Sequence, residues 1–167
     1  AAMATMIDTG KVHDFRVLRF ASLDELEAEI ARICAAERAG TLRHSGNWSA
    51  GQSFGHLATW INYAYDGYPA DLRPPWFVKL ILKLRKSKFM RGPLPRGVKI
   101  PGLKGGTKGT EPLSLDEGES QLRRAIGRLR SAPPTVPNVI FGPLSHEEWK
   151  SMHCRHAELH LGYLHPK

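Results

Sequence analysis

Four stretches of the chain space apolar residues three and four apart, and each opens on the same polar signature. Ser22-Leu-Asp-Glu25, Ser49-Ala-Gly-Gln52, Ser114-Leu-Asp-Glu117 and Ser145-His-Glu-Glu148 each put Ser at an N-cap position with Glu or Gln three residues on. In a capping box these two side chains satisfy orphan backbone N–H groups at a helix start. One match says little, but four matches, each leading into helical apolar spacing, predict four main helices.

The first helix is expected from about Leu23 to Ala39, with Leu26, Ile30, Ile33 and Cys34 inward and Gly40 as its stop. The second runs from about Ala50 to Asp66 with Leu57, Trp60, Ile61 and Ala64 on one face, and Gly67 ends it. A third, from about Leu115 to Arg130, buries Leu122, Ile126 and Leu129 ahead of Pro133-Pro134. The fourth runs from about His146 to Leu164; its inward line is Trp149, His153, His156, His160 and Leu164 or Tyr163, and Pro166 stops it. Residues 12–20 read as a short extended segment, and no strong strand pair or internal repeat is visible. The expected fold is all-α: a single four-helix-bundle domain over 1–167, with a long crossover between helices two and three.

Charge changes the picture of that crossover. The chain carries a formal net charge of +8, yet residues 72–110 contain no acidic residue and eleven basic ones. That leaves 13 of the 24 basic residues against 16 acidic ones elsewhere, a net of −3. The basic character therefore belongs to the insert, 72–110. Pro74-Pro75 can open a short helix with Trp76, Phe77, Leu80, Ile81 and Leu84 on one side, interleaved with Lys79, Lys83, Arg85, Lys86 and Lys88. The Pro- and Gly-rich stretch 92–112 reads as a loop. Three roles are open to the insert. Its apolar side can cover an end of the bundle, which is the reading preferred on composition. It can instead contact an anionic membrane or nucleic acid through 76–91. It can also form a lid that attracts an anionic substrate. No DNA-reading motif is present.

Other classes are less well supported. No apolar run of 18 residues exists to span a bilayer. The start, AAMATMIDTG, lacks the charged and apolar regions of a secretory signal, and its AAM reads as a tag remnant. Cys34 and Cys154 are too few for a disulfide framework and fall in helical patterns, so a cytoplasmic location with buried thiols is expected.

The candidate chemistry lies in the fourth helix. Three of the eight histidines, His153, His156 and His160, fall within eight residues. His156 and His160 are one helical turn apart on one face, and the stripe they share also carries Trp149 and Leu164. Imidazoles buried on such a stripe need partners. Two His at i, i+4 can share a divalent ion, with a third ligand from another helix. His56, beside Leu57 and Trp60 on helix two, is the candidate third. Three neutral imidazoles leave coordination positions open for water or substrate. No general base stands beside them: Glu158 faces away round the helix, and Glu147 and Glu148 suit capping. Trp60, Tyr63 and Trp149 are read as core.

Three segments together resemble a known family. They are Trp48-Ser49-x-Gly51-Gln52-x-x-x-His56-Leu57, Phe141-Gly142-x-Leu144-Ser145-x-Glu147-Glu148-Trp149 and Arg155-His156-x-x-x-His160-Leu161. The combination is similar to the DinB/YfiT-like superfamily of bacterial proteins, in a branch known only as a domain of unknown function, and it covers the chain from about Phe20 to Pro166. The resemblance implies a four-helix bundle holding a divalent ion (zinc, nickel or iron) on three His, which fall here on His56, His156 and His160. His153 matches no ligand position. Some members of the superfamily are thiol transferases that use low-molecular-weight thiols, or isomerases of thiol adducts. The resemblance therefore implies a metal-dependent transferase acting on a small molecule, with such a thiol as one candidate substrate; metal-activated water would instead make a hydrolase, and a homodimer is open. The chain departs from the superfamily pattern in its long insert and in Leu161-Gly162-Tyr163 after the last ligand. A non-catalytic bundle whose insert makes the contact is the competing reading.

Overall fold

The computed structural model describes residues 5–167; the first four residues of the AAMATMIDTG start lie outside the described residues. The described chain is mostly helical, in keeping with an all-α protein. The helices are α1 (Leu23–Arg38), α2 (Ala50–Asp66), α3 (Trp76–Leu84), α4 (Lys86–Arg91), α5 (Leu115–Ser131) and α6 (His146–Leu161). Two short strands, β1 (Arg43–His44) and β2 (Leu164–His165), pair antiparallel.

All four expected helix starts form. Ser22, Ser49, Ser114 and Ser145 each accept a hydrogen bond from the backbone N–H three residues on. Only Ser145 and Glu148 complete the reciprocal box. Gln52 instead donates to the Thr110 carbonyl at 2.6 Å, fastening the end of the insert to α2. Neutral caps of this kind each contribute roughly 1 kcal/mol to a helix.

One apolar core is shared by α1, α2, α5 and α6. Leu26, Ile30 and Ile33 of α1, Phe54, Leu57 and Ile61 of α2, Leu122, Ile126 and Leu129 of α5, and Trp149 and Leu161 of α6 all belong to it. The most extensive helix pair is α2 with α5. Glycine makes that pairing possible: a Cβ on Gly118 would lie 2.4 Å from the Gly51 carbonyl oxygen, and one on Gly51 would lie 2.4 Å from the Leu113 oxygen. Neither position has room for a side chain, so the two helices touch backbone to backbone.

Three expectations need correction. Helix α6 stops at Leu161 rather than Leu164, because Gly162 lets Phe15 and Arg16 cross its end; a Cβ there would be 2.3 Å from the Phe15 ring. Arg16 N–H then bonds the Gly162 carbonyl, and Leu164 stays buried, in β2 instead of the helix. The β1–β2 pair, two residues a side, is too short to leave an alternating pattern in the sequence. The third correction concerns the insert. Its helix begins after Pro75 as expected, but Trp76, Phe77, Leu80, Ile81 and Leu84 are 51–81% exposed, so their face does not cover the bundle. Packing falls instead to α4, which lies against α6 and is tied to it by Lys86 and Glu148 at 2.5 Å.

Among the described residues, one ion pair outside the site has both side chains buried. Arg155 and Glu158 pair at 2.7 Å on α6 and bracket the Phe20 backbone, Glu158 accepting its N–H and Arg155 donating to its carbonyl. Glu158 thus faces away from the histidine stripe, as its helical position predicts.

Candidate metal centre

Helix α2 carries His56 and helix α6 carries His156 and His160, and the packing of these helices brings the three rings together. Nε2 of His156 lies 3.1 Å from Nε2 of His56 and 3.1 Å from Nε2 of His160. One ligand atom from each ring lies within 4.8 Å of the others, so the three can hold a metal ion. Two imidazole nitrogens bound to one tetrahedral ion at about 2.05 Å would stand about 3.3 Å apart. The observed spacing is close to that.

The ring of His56 is held from behind. Its Nδ1 lies 2.7 Å from the Lys108 backbone carbonyl, which can only accept. Nδ1 therefore carries the proton, and the Nε2 lone pair points at the other two rings. A second hydrogen bond of this sort fixes the tautomer of a metal-ligating histidine. A single proton on Nε2 of His156 can serve only one of its two 3.1 Å contacts; the other has no proton between its nitrogens. A shared cation relieves both.

The electrostatics favour the neutral, ligating form. Burial pulls the pKa of His56 down to about 4, against a weaker opposing pull from the Lys108 carbonyl. His156 and His160 are also well below the ordinary imidazole value, through burial first and then the neighbouring imidazoles. At neutral pH all three nitrogens are available, and protons compete little for them.

Aromatic rings close the surroundings. Trp48 stacks on His160, with ring centroids 5.0 Å apart and planes 18° from parallel, and leans against His56. Trp60 meets the edges of His56 and His156. The histidines line a cavity of about 670 Å³, walled by Trp48, Trp60, Phe141 and Met152 and, from the insert, by Phe89 and Ile100. Among the described residues, Asp8 is the single carboxylate on that wall.

Each residue singled out in the sequence now has a place. His56, His156 and His160 meet. His153 does not join them: it is buried, stacked on Trp149 and without a partner for Nε2, although it reaches the cavity wall. Trp149 is core as expected, whereas Trp60 lines the cavity and its buried Nε1 also lacks a partner. Cys34 and Cys154 are buried free thiols, pushed up to about 12 and about 11 by burial, which leaves no thiolate of the chain's own at neutral pH. Two features were not anticipated. The Lys108 carbonyl is a backbone group, which residue identity does not mark; Gly109 beside it, pressed on Thr59 at φ +71°, is the nearest signal. The stacking of Trp48 could have been suspected from an aromatic placed just before the cap of the His56 helix.

An all-α chain with three histidines placed to share an ion belongs to a broad class of helical proteins with candidate metal sites. More narrowly, residues 12–167 match the family model described as protein of unknown function, DUF1569, and the chain belongs to that family. No curated protein and no solved structure matches it.

Proposed function

We propose that this chain is a divalent-metal-dependent enzyme acting on a small molecule, with the ion held by His56, His156 and His160. The observation that carries the reading is the convergence of three Nε2 atoms whose one fixed tautomer, at His56, presents a lone pair. The donor set suits zinc, nickel or iron. Helices α1, α2, α5 and α6 would form a four-helix bundle of the DinB/YfiT-like kind in one domain, with residues 72–110 as its crossover insert.

Bound there, such an ion would supply a Lewis acid that holds a thiolate or a water in its reactive form at neutral pH. The chain's own residues do the remainder. Trp48 and Trp60 keep water from the back of the imidazoles and fix their planes. The apolar walls take the body of a substrate. Trp60 and His153 also reach the cavity wall, although the Trp60 Nε1 and His153 Nε2 atoms are themselves buried and without partners. A wall with one carboxylate, Asp8, favours a thiol transferase, which needs no general base to make its nucleophile, over a hydrolase.

Metal analysis of the full chain tests this directly. Protein stripped with chelator and reloaded with zinc, nickel or iron should hold about one ion per chain, and the His156→Ala/His160→Ala variant should hold none. Wild-type protein that retains none of the three ions sinks the proposal. A screen of thiol adducts and small esters on the loaded protein then separates transferase from hydrolase.

A further inference from the structure

The insert carries a second surface, remote in character from the histidine cavity. Along α3, Val78 and Leu82 are half-buried, while Trp76, Phe77, Leu80, Ile81 and Leu84 are all more than half exposed. At 100° per residue these five side chains cover one arc of roughly 140°. Lys79 and Lys83, both exposed, form a stripe along one edge of that arc, Arg85 at the helix end falls beyond the opposite edge, and Lys88 follows on α4; both are exposed. Lys86 is engaged by Glu148 and Lys108 by Asp71, but among the described residues Lys79, Lys83, Arg85 and Lys88 have no carboxylate partner. Contiguous exposed apolar residues rimmed by charge mark an interaction surface rather than an ordinary solvent face.

We propose that α3 docks the protein on an anionic membrane surface, its apolar arc entering the acyl boundary and its lysines meeting lipid phosphates. The arrangement is that of an interfacial helix: apolar residues on one face, cations at the flank and no acid anywhere from 72 to 110. Trp76, at the end of the arc, has the amphipathic ring that sits at the headgroup level. The charge selects among occupants. A second copy meeting this face through its own α3 would bring Lys79, Lys83, Arg85 and Lys88 against like charges. A nucleic acid would put its phosphates where the outermost side chains are, and those are apolar. No described helix is long and apolar enough to cross a membrane, so the contact is peripheral. Helix α4 follows directly and sets Phe89 against Phe141 on the cavity wall, so the docking face and the cavity are joined by one insert.

Vesicle co-sedimentation of the full chain decides the matter. Wild type should pellet with vesicles containing phosphatidylglycerol, stay in solution with pure phosphatidylcholine, and release as salt is raised. Lys79→Gln and Lys83→Gln should each weaken partition about fivefold. Trp76→Ser with Leu84→Ser should abolish it. Both side chains are exposed, so circular dichroism and the thermal midpoint should not change. Trp76→Phe should still bind but lose the blue shift in fluorescence that accompanies it. The inference is overturned if anionic vesicles leave the wild type in solution, if neutral and anionic vesicles bind equally, if the serine variant binds as well as wild type, or if sedimentation shows a dimer that the serine variant loses.

Discussion

Gly109 lies outside the three histidines, yet its substitution should loosen a metal held by them. The glycine has φ +71°, and a Cβ built on it would lie 2.7 Å from both Cβ and Oγ1 of Thr59. Thr59 cannot yield: it is β-branched, on α2, and its hydroxyl donates to the Gly55 carbonyl at 2.8 Å. The loop must move instead. Reaching ordinary contact at 3.4 Å requires a shift of about 0.7 Å. Lys108, the preceding residue, accepts the His56 Nδ1–H at 2.7 Å, and a shift of that size takes the bond past the roughly 3.2 Å at which N–H···O bonding fades. Losing the partner that orients a ligating histidine costs about 10- to 100-fold in metal affinity, or about 1.4 to 2.7 kcal/mol. Zinc competition against a chromophoric chelator at neutral pH should show this for Gly109→Ala. Gln52→Ala, which frees the same loop from α2 by removing the bond to the Thr110 carbonyl, should give a smaller loss in the same direction. His56→Ala sets the floor. A folded Gly109→Ala protein with undiminished zinc affinity would refute the idea that the Lys108 carbonyl orients the site.

Two further outcomes concern stability. Glu158→Ala should destabilise the fold by about 3 to 5 kcal/mol, because Arg155, only 5% exposed, is left as an uncompensated charge beside Phe20. The double variant Glu158→Leu/Arg155→Met should recover most of that loss in urea unfolding, and a single variant as stable as wild type would contradict the assignment. In chelator-treated protein, His153 should make the fold acid-sensitive. Burial lowers its pKa to about 4, so its contribution is complete above the unfolded value near 6.5 and is lost as pH falls through the folded one. The loss amounts to about 3 kcal/mol once the ring is fully protonated. His153→Leu should therefore lose less stability than wild type between neutral and acid pH; parallel stability curves would count against it.

What could be read in the sequence was what is set locally. A Ser three residues ahead of Glu or Gln is chemistry of a single turn, so all four major helix starts were visible in the chain even though only Ser145–Glu148 closed its box. The stripe of His156 and His160 was visible for the same reason. Its third member was weaker, because His56 joins only through the placement of α2 against α6. The close approach of Gly51 to Gly118 and the carbonyl of Lys108 were invisible, since each contact uses a backbone group that meets a segment distant in the chain.

Direction is the other quantity that periodicity does not carry. Trp76, Phe77, Leu80, Ile81 and Leu84 have the spacing of a buried stripe, and so do Leu122, Ile126 and Leu129; the first set faces solvent and the second is fully buried. Spacing shows that residues share a face, and only the neighbours decide what the face meets. Charge breaks the tie. The stripe on α5 is flanked by acids and bases that pair across the fold, such as Arg128 with Asp66 and Arg130 with Asp24. The stripe on α3 is flanked by cations within an acid-free segment, and none of Lys79, Lys83, Arg85 and Lys88 finds a carboxylate among the described residues. A face whose rim is already neutralised within the chain can close against the chain itself. A face whose rim carries one sign of charge is suited to a surface of the other sign, and an anionic bilayer also accepts the apolar arc between the cations.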